Sequence, residues 1–376
     1  MPVTIAASDD PMFGLYRVMR DDDTLDPDGG RDFDDAFLLR IYREMKRLRV
    51  LDERMLTIQR QGRIGFYGEV KGQEATPIAT GFAVEKDDWV FPALREGAIM
   101  LVRGFPLDRY VAQCFGNSCD VLKGRQMPSH YSGRAVNQVA WSSCIGPQVP
   151  QAVGCAWAMK LQNKQSVAIG FMGDGATSQP DFHNALNFAG VYKTPCVLVC
   201  QNNHWAISVP SARQTASPTF ASKAIAYGLP GVRVDGNDVL AVLKVMRDAI
   251  ARARRGEGAT FVESVTYRMG AHSSSDDPTR YRSNDEVAAW AKKDPVDRMR
   301  RVMVKRGLVD DAKDQTLFEE VDAEVKGAIA KVENEPMPRR ESIFDDVFAT
   351  LPRHLEEQKR EMLRHEPPAG HGAAGH

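Results

Sequence analysis

An α/β fold built on a mostly parallel sheet with helices on both faces is predicted for this chain by two observations. Apolar runs such as SVAIGFMG (166–173), TPCVLVCQNN (194–203) and TFVESVTYRMG (260–270) alternate with helical patterns, and their apolar character is nearly continuous. Continuous rather than alternating apolarity marks strands buried on both faces, and a strand-helix-strand order calls for right-handed crossovers between parallel strands.

The elements follow in order. Residues 1–33 carry the acidic, turn-rich run DDDTLDPDGGRD and read as an N-terminal arm before the first regular element. From Asp34, apolar residues recur at three-to-four spacing after an acidic opening as far as Gly62, which predicts a long amphipathic helix with a solvated charged face. Residues 180–191 read as a helix between the first two strands. VRVDG (232–236), a helix over NDVLAVLKVMRDAIARARRG, and the strand at 260–270 repeat the order. The α/β domain is placed at 34–345. A helical segment at 346–365 contains a Glu/Lys/Arg-rich helix near 353–364, and EPPAGHGAAGH (366–376) reads as a disordered tail whose His371 and His376 are bland.

Composition excludes several classes. In 376 residues, 49 basic and 50 acidic side chains leave a net charge of 49 − 50 = −1, which argues against nucleic acid as a partner. With 43% hydrophobic and 26% charged residues and a mean hydropathy of −0.37, the chain reads as globular. No apolar run approaches the roughly 18 residues needed to span a bilayer. The opening MPVTIAASDDPMFG lacks the form of a secretory signal, and six scattered cysteines without CxxC pairs suit reduced thiols in a cytoplasmic setting. Cys196 and Cys200 are expected to pack inside their strand.

The chemistry concentrates in GFMGDGATSQPDFHNALNFAGVYKTPCVLVCQNNHWAIS (170–208). One strand ends in Gly173-Asp174-Gly175, the next in Asn202-Asn203, with 26 residues from Ala176 to Gln201 between them. Both ends fall at the carboxyl edge of a parallel sheet, where such folds bind ligands. The glycines let backbone amides approach phosphate oxygens at a helix start. Asp174, the amide oxygen of Asn203 and the backbone carbonyl of Trp205 offer three hard oxygens, which suits magnesium completing its shell with a diphosphate. Gly173-x-Gly175-x-x-Ser178 nearly spells a dinucleotide fingerprint, but the next strand ends in Gln201-Asn202-Asn203 without the acidic residue that would hold a ribose. A nicotinamide site is therefore disfavoured.

GDG, 26 residues, then NN resembles the signature of thiamine-diphosphate enzymes. FYGEVKGQEA, LREGAIMLVRG, KGRQMPSHY, SSCIGPQVPQAVG, VTYRMGAHSSSDD and YRS are similar, in order, to the alpha subunit of the decarboxylating first component of branched-chain 2-oxo-acid dehydrogenase complexes (2-oxoisovalerate dehydrogenase). QVPQAVG (148–154) and HSSSDD (272–277) resemble the branched-chain rather than the pyruvate subgroup. That resemblance implies a thiamine-diphosphate-binding fold and oxidative decarboxylation of branched-chain 2-oxo acids. It implies thiamine diphosphate and Mg2+ as cofactors, with Asp174, Asn203 and the Trp205 carbonyl on the metal and Gly173, Gly175 and Ala176 contacting the diphosphate. Arg95 would anchor the diphosphate, Ser143 and Ile145 would face the aminopyrimidine, and His272 would lie near the phosphate and the reacting acyl group as a catalytic residue. On the residues alone, Ser143 could instead cap a helix starting near Pro147. Phe66, Tyr67, Ala93 and Leu94 would line the acyl pocket or simply pack. His183 and His204 match no such role, and Ser273, a kinase target in some relatives, is expected to be a solvated loop serine.

The implied partners are a beta subunit, which carries the glutamate that activates the thiazolium, in an α2β2 heterotetramer, and the lipoyl domain of a dihydrolipoyl acyltransferase. Three departures stand out. Leu94 replaces a frequent tyrosine, Gln201 replaces an arginine of some members, and Pro147 replaces a threonine that helps bind K+, which puts that ion in doubt. The alternatives are a pyruvate or acetoin dehydrogenase alpha subunit and a non-catalytic binding module of the same fold.

Overall fold

The structure is a computed structural model that describes residues 12–365, so the expectations for the extreme N-terminus and for the tail at 366–376 lie outside the described residues. Its strands are β1 (Trp89–Phe91), β2 (Ala168–Gly173), β3 (Cys196–Asn202), the short antiparallel pair β4 (Trp205–Ala206) and β5 (Val209–Pro210), β6 (Gly231–Asp235) and β7 (Thr260–Val265). The five long-range strands form one sheet in the order β1-β2-β3-β7-β6, and every neighbouring pair is parallel. The predicted fold class holds.

Strand burial explains why these runs are apolar throughout. Along β3, Val197 and Val199 join Ile169, Phe171 and Val262 in one core. Cys196, Leu198 and Cys200 join Ala168, Met172 and Phe261 in the core on the opposite face. Side chains alternate across a strand, so two covered faces demand apolar residues at both parities. Both cysteines are fully buried and serve as packing, as expected.

The helices divide between the two faces. α1 (Asp35–Arg60), α2 (Ala75–Ala83), α7 (Val239–Arg254) and α9 (Pro295–Lys305) supply the first core. α5 (Gln148–Leu161) and α6 (Pro180–Tyr192) supply the second. A third core joins α1 to α3 (Ala98–Val102), α4 (Leu107–Phe115) and α10 (Asp311–Glu333), while α8 (Asn284–Ala291) and α11 (Arg353–Arg364) lie outside all three.

Two expectations change. The charged face of α1 is not simply solvated. Arg43, Lys46, Arg47 and Arg54 meet Glu320, Asp314, Glu324 and Asp322 of α10, a helix more than 250 residues away. The described part of the N-terminal arm is docked on the sheet: Tyr16 bridges Val234, and the Val18 and Met19 N–H groups donate to the buried Asp238 carboxylate at 2.7 and 2.5 Å. Asp238 also caps α7 through the N–H groups of Leu240 and Ala241, so one carboxylate joins the arm to the domain.

Candidate cofactor site

At the carboxyl edge of the sheet, β2 and β3 are direct neighbours, with Gly173 paired to Gln201. Asp174 and Asn203 therefore stand one residue beyond the ends of adjacent strands, and both are buried. The Asp174 carboxylate accepts from the backbone N–H of Asn203 and, at 2.5 Å, from Gln214 Nε2. Asn203 Oδ1 accepts from the Trp205 N–H at 3.1 Å, and its Nδ2 donates to Gln73 Oε1 at 2.9 Å. The carbonyl of Trp205 accepts from Arg268 at 3.2 Å. Asp174, Asn203 and Trp205 thus lie together at this edge, each of the three oxygens accepting from an N–H group.

GDG is not followed directly by an α-helix. Asp174–Ser178 form a 3-10 turn, and α6 begins only at Pro180, a residue suited to a first helical turn because it has no N–H to satisfy. Gly175 has a packing reason to be glycine: an added Cβ would stand 2.5 Å from the Cβ of Ala206 in β4. Gly173, by contrast, has nothing within 4 Å of an added Cβ, so its site-facing side is open to close approach.

Opposite the carboxylate lies positive charge. Arg95 is buried, and its Nε and Nη2 donate at 2.8 Å to the carbonyls of Glu69 and His272. Arg268 is fully buried, reaching the carbonyls of Trp205 and Ile207 and the Tyr281 hydroxyl, while its Nε has no partner. Among the described residues neither guanidinium is in an ion pair, and neither is Asp174. Burial and the nearby Arg268 hold Arg95 down to about 10. Burial also raises the Asp174 carboxyl above its usual range despite its N–H donors. A buried carboxylate and two buried guanidiniums at this sheet edge, none of them in a contact ion pair among the described residues, fit a divalent metal held together with a diphosphate. The donor set is one carboxylate, one amide and one carbonyl. Among the described residues no group of three or more His, Cys, Asp or Glu is gathered for a metal, and this set is not of that kind.

His272 lies in the loop after β7. Its N–H donates to Asp276, whose carboxylate also takes the Tyr281 hydroxyl at 2.5 Å, and Arg282 clamps the loop through the carbonyls of Arg268, Met269 and Gly270. Burial, then Arg95 and Arg268, push the ring down to about 4. This is well below an ordinary histidine, because the two guanidiniums disfavour a third positive charge. His272 Nδ1 lies 3.5 Å from an Arg268 nitrogen that can only donate, so in the neutral ring the proton sits on Nε2.

A pH prediction follows. The folded value lies below the ordinary 6.5, so stability from keeping His272 neutral is complete above about 6.5 and drains as the pH falls toward about 4. Nuclear magnetic resonance of histidine-labelled protein, assigned with His272→Asn, is expected to give a midpoint near 4 that moves upward on adding inorganic diphosphate. A midpoint near 6.5 in the free protein contradicts this.

The remaining expected residues are placed as follows. Ser143 and Ile145 are exposed, and Ser143 does not cap α5, which has no side-chain cap; its hydroxyl lies 2.5 Å from His130 Nε2. Ala176 is buried within the 3-10 turn. Tyr67 is buried with its hydroxyl donating to Asp52 at 3.0 Å, Phe66 is half-buried beside His130, and Ala93 packs against the first core. Leu94 faces Gly68, whose added Cβ would stand 3.4 Å from it. Gln201 is buried and donates to Gln73 instead of reaching outward. Ser273 is half-buried, its carbonyl accepting from Asp276. His183 pairs with the Tyr227 hydroxyl, and His204 packs at a tilt against Trp290.

Sequence reasoning missed Arg268, Gln73, Gln214 and His130. Arg268 had a readable signal, three residues beyond the end of β7 at the same sheet edge. The glutamines had none.

Comparisons with known proteins give the family. The profile of the family described as dehydrogenase E1 component matches residues 42–341. The chain is 41% identical over 328 residues to a pyruvate dehydrogenase E1 component subunit alpha of Staphylococcus aureus, covering 87% of this chain and 86% of that one. It is 40% identical over 360 residues to a mitochondrial 2-oxoisovalerate dehydrogenase subunit alpha 1 of Arabidopsis thaliana (94% and 76%). Over 364 residues it is 38% identical to the mitochondrial 2-oxoisovalerate dehydrogenase subunit alpha of Caenorhabditis elegans (96% and 84%).

Proposed function

Because the chain belongs to the dehydrogenase E1 component family, we propose that it is the alpha-type subunit of a 2-oxo-acid dehydrogenase acting on branched-chain 2-oxo acids, with thiamine diphosphate and Mg2+ as its cofactors. The observation that carries this reading is the placement of Asp174 and Asn203 on adjacent strand tips, with two buried guanidiniums that have no ion-pair partner among the described residues. Asp174, Asn203 and the Trp205 carbonyl would hold the metal. Arg95, with the backbone at Gly173, Gly175 and Ala176, would hold the diphosphate. Ser143 and Ile145 would meet the aminopyrimidine.

When bound, thiamine diphosphate supplies an electron sink for decarboxylation. This chain's residues orient and exclude water around it. His272, neutral at pH 7 with its proton on Nε2, is suited to donate a hydrogen bond to an anion near the reacting acyl group without adding charge. The acyl group would pass to the lipoyl group of an acyltransferase. A beta subunit would complete the site in an α2β2 assembly, and unpaired cysteines support a reducing, cytoplasmic setting.

Reconstitution with a beta subunit, followed by assay with 3-methyl-2-oxobutanoate and pyruvate, tests the proposal. The second reading, a pyruvate enzyme, is favoured by the Staphylococcus aureus relative. Higher kcat/KM for pyruvate would establish it. Leu94→Tyr is expected to shift the preference toward pyruvate by at least about tenfold, since pocket changes of this size are worth about 1–3 kcal/mol. An unchanged ratio removes Leu94 from the acyl pocket.

A further inference from the structure

We propose that His130 is a positioning residue for this site: it takes the Ser143 hydroxyl proton at Nε2, which leaves the serine oxygen as an acceptor for an amino N–H of the cofactor's pyrimidine. The proposal rests on the cofactor reading above and deepens it.

The direction of the hydrogen bond follows from His130's other nitrogen. Nδ1 lies 3.0 Å from the carbonyl of Pro128, which can only accept, so Nδ1 carries the proton of the neutral ring. Nε2 is then an acceptor, and the Ser143 hydroxyl 2.5 Å away must donate to it. A hydroxyl has one proton and two lone pairs, so Ser143 has only lone pairs left to offer a ligand. Burial favours the neutral ring by pushing His130 below the ordinary histidine value.

The arrangement is held rigid. His130 is 3% exposed, and Trp141 packs on its ring at 3.7 Å between centroids. Phe66 lies at 6.3 Å, and the Trp141 N–H donates to the Tyr131 carbonyl, tying the serine segment to the histidine segment. Ser143, Cys144 and Ile145 are nevertheless exposed, so this segment is open to a ligand. A freely rotating serine would serve a donor or an acceptor equally. This one selects a donor: it suits a 4-aminopyrimidine and meets the oxygen of a 4-oxopyrimidine lone pair to lone pair.

The test measures binding of thiamine diphosphate and of oxythiamine diphosphate, its 4-oxo analogue, to the reconstituted α/β assembly with Mg2+ by calorimetry. The wild type is expected to prefer thiamine diphosphate. Ser143→Ala and His130→Phe, which keeps an aromatic ring without an acceptor, are each expected to reduce that preference by about three- to tenfold, the range for one neutral hydrogen bond. The double variant should lose no more than either alone, and His130→Gln, whose amide oxygen can replace Nε2 as acceptor, should restore most of it. An unchanged preference in His130→Phe overturns the proposal. Should that variant fail to fold, an unchanged preference in Ser143→Ala overturns it equally. Binding of neither compound by the wild type overturns the cofactor reading, and the proposal with it.

Discussion

Asp174→Asn is expected to abolish magnesium-dependent binding of thiamine diphosphate while leaving the fold intact, with a loss of at least about 100-fold, because even groups that merely support metal ligands cost about 10–100-fold when removed. The asparagine keeps the shape of the side chain. What it removes is a carboxylate held out of water beside Gln214 and the Asn203 N–H, without a cationic side chain in ion-pair contact among the described residues. Keeping that charge buried costs desolvation in the free chain, so the melting temperature without cofactor should fall little. Asn203→Ala is expected to cost a similar factor, since its amide oxygen is the second side-chain donor. The double variant should fall short of the product of the two, because both act on one ion. Calorimetric titration of thiamine diphosphate at fixed Mg2+, with thermal melting as control, reads both quantities. Retention of Mg2+-dependent binding within about threefold of wild type would dismantle the metal assignment.

The part of this site that could be read from the chain is the part that depends on local order. β2 and β3 announce themselves because burial on both faces makes them continuously apolar, and the GDG and NN ends fall at one edge because parallel strands must point the same way. What escaped is set by distant parts of the chain meeting. The charged face of α1 reads as solvated until α10 arrives with its own carboxylates. α2 is ATPIATGFA, apolar around most of its circumference and without a side-chain cap, so neither periodicity nor a start signal marks it. β1 has only three residues. The amide chain from Gln201 through Gln73 to Asn203 joins residues about 130 positions apart, and no local pattern encodes it. The 3-10 turn after GDG likewise depends on β4 closing against Gly175.

Arg95 gives the second large effect, and its argument rests on charge instead of coordination. Arg95→Met is expected to weaken diphosphate binding by about 100-fold, the scale of two charge-assisted hydrogen bonds at about 1.5–3 kcal/mol each, partly offset by Arg268 remaining. Arg95→Lys should rescue little. Two edges of the guanidinium are already committed to the carbonyls of Glu69 and His272, and a single ammonium cannot span both while facing an anion. Removing this cation also removes the second cause that holds His272 down to about 4, so the His272 midpoint should rise in Arg95→Met even without ligand. Ligand linkage offers an independent check: at 100 times its Kd, a ligand stabilises the folded state by about 2.7 kcal/mol. Inorganic diphosphate with Mg2+ should raise the melting temperature of the wild type and leave that of Arg95→Met nearly unchanged at the same concentration. A variant that binds diphosphate as the wild type does, with His272 unmoved, would show that Arg95 faces the loop and not the cofactor, and the anchoring role would pass to Arg268 alone.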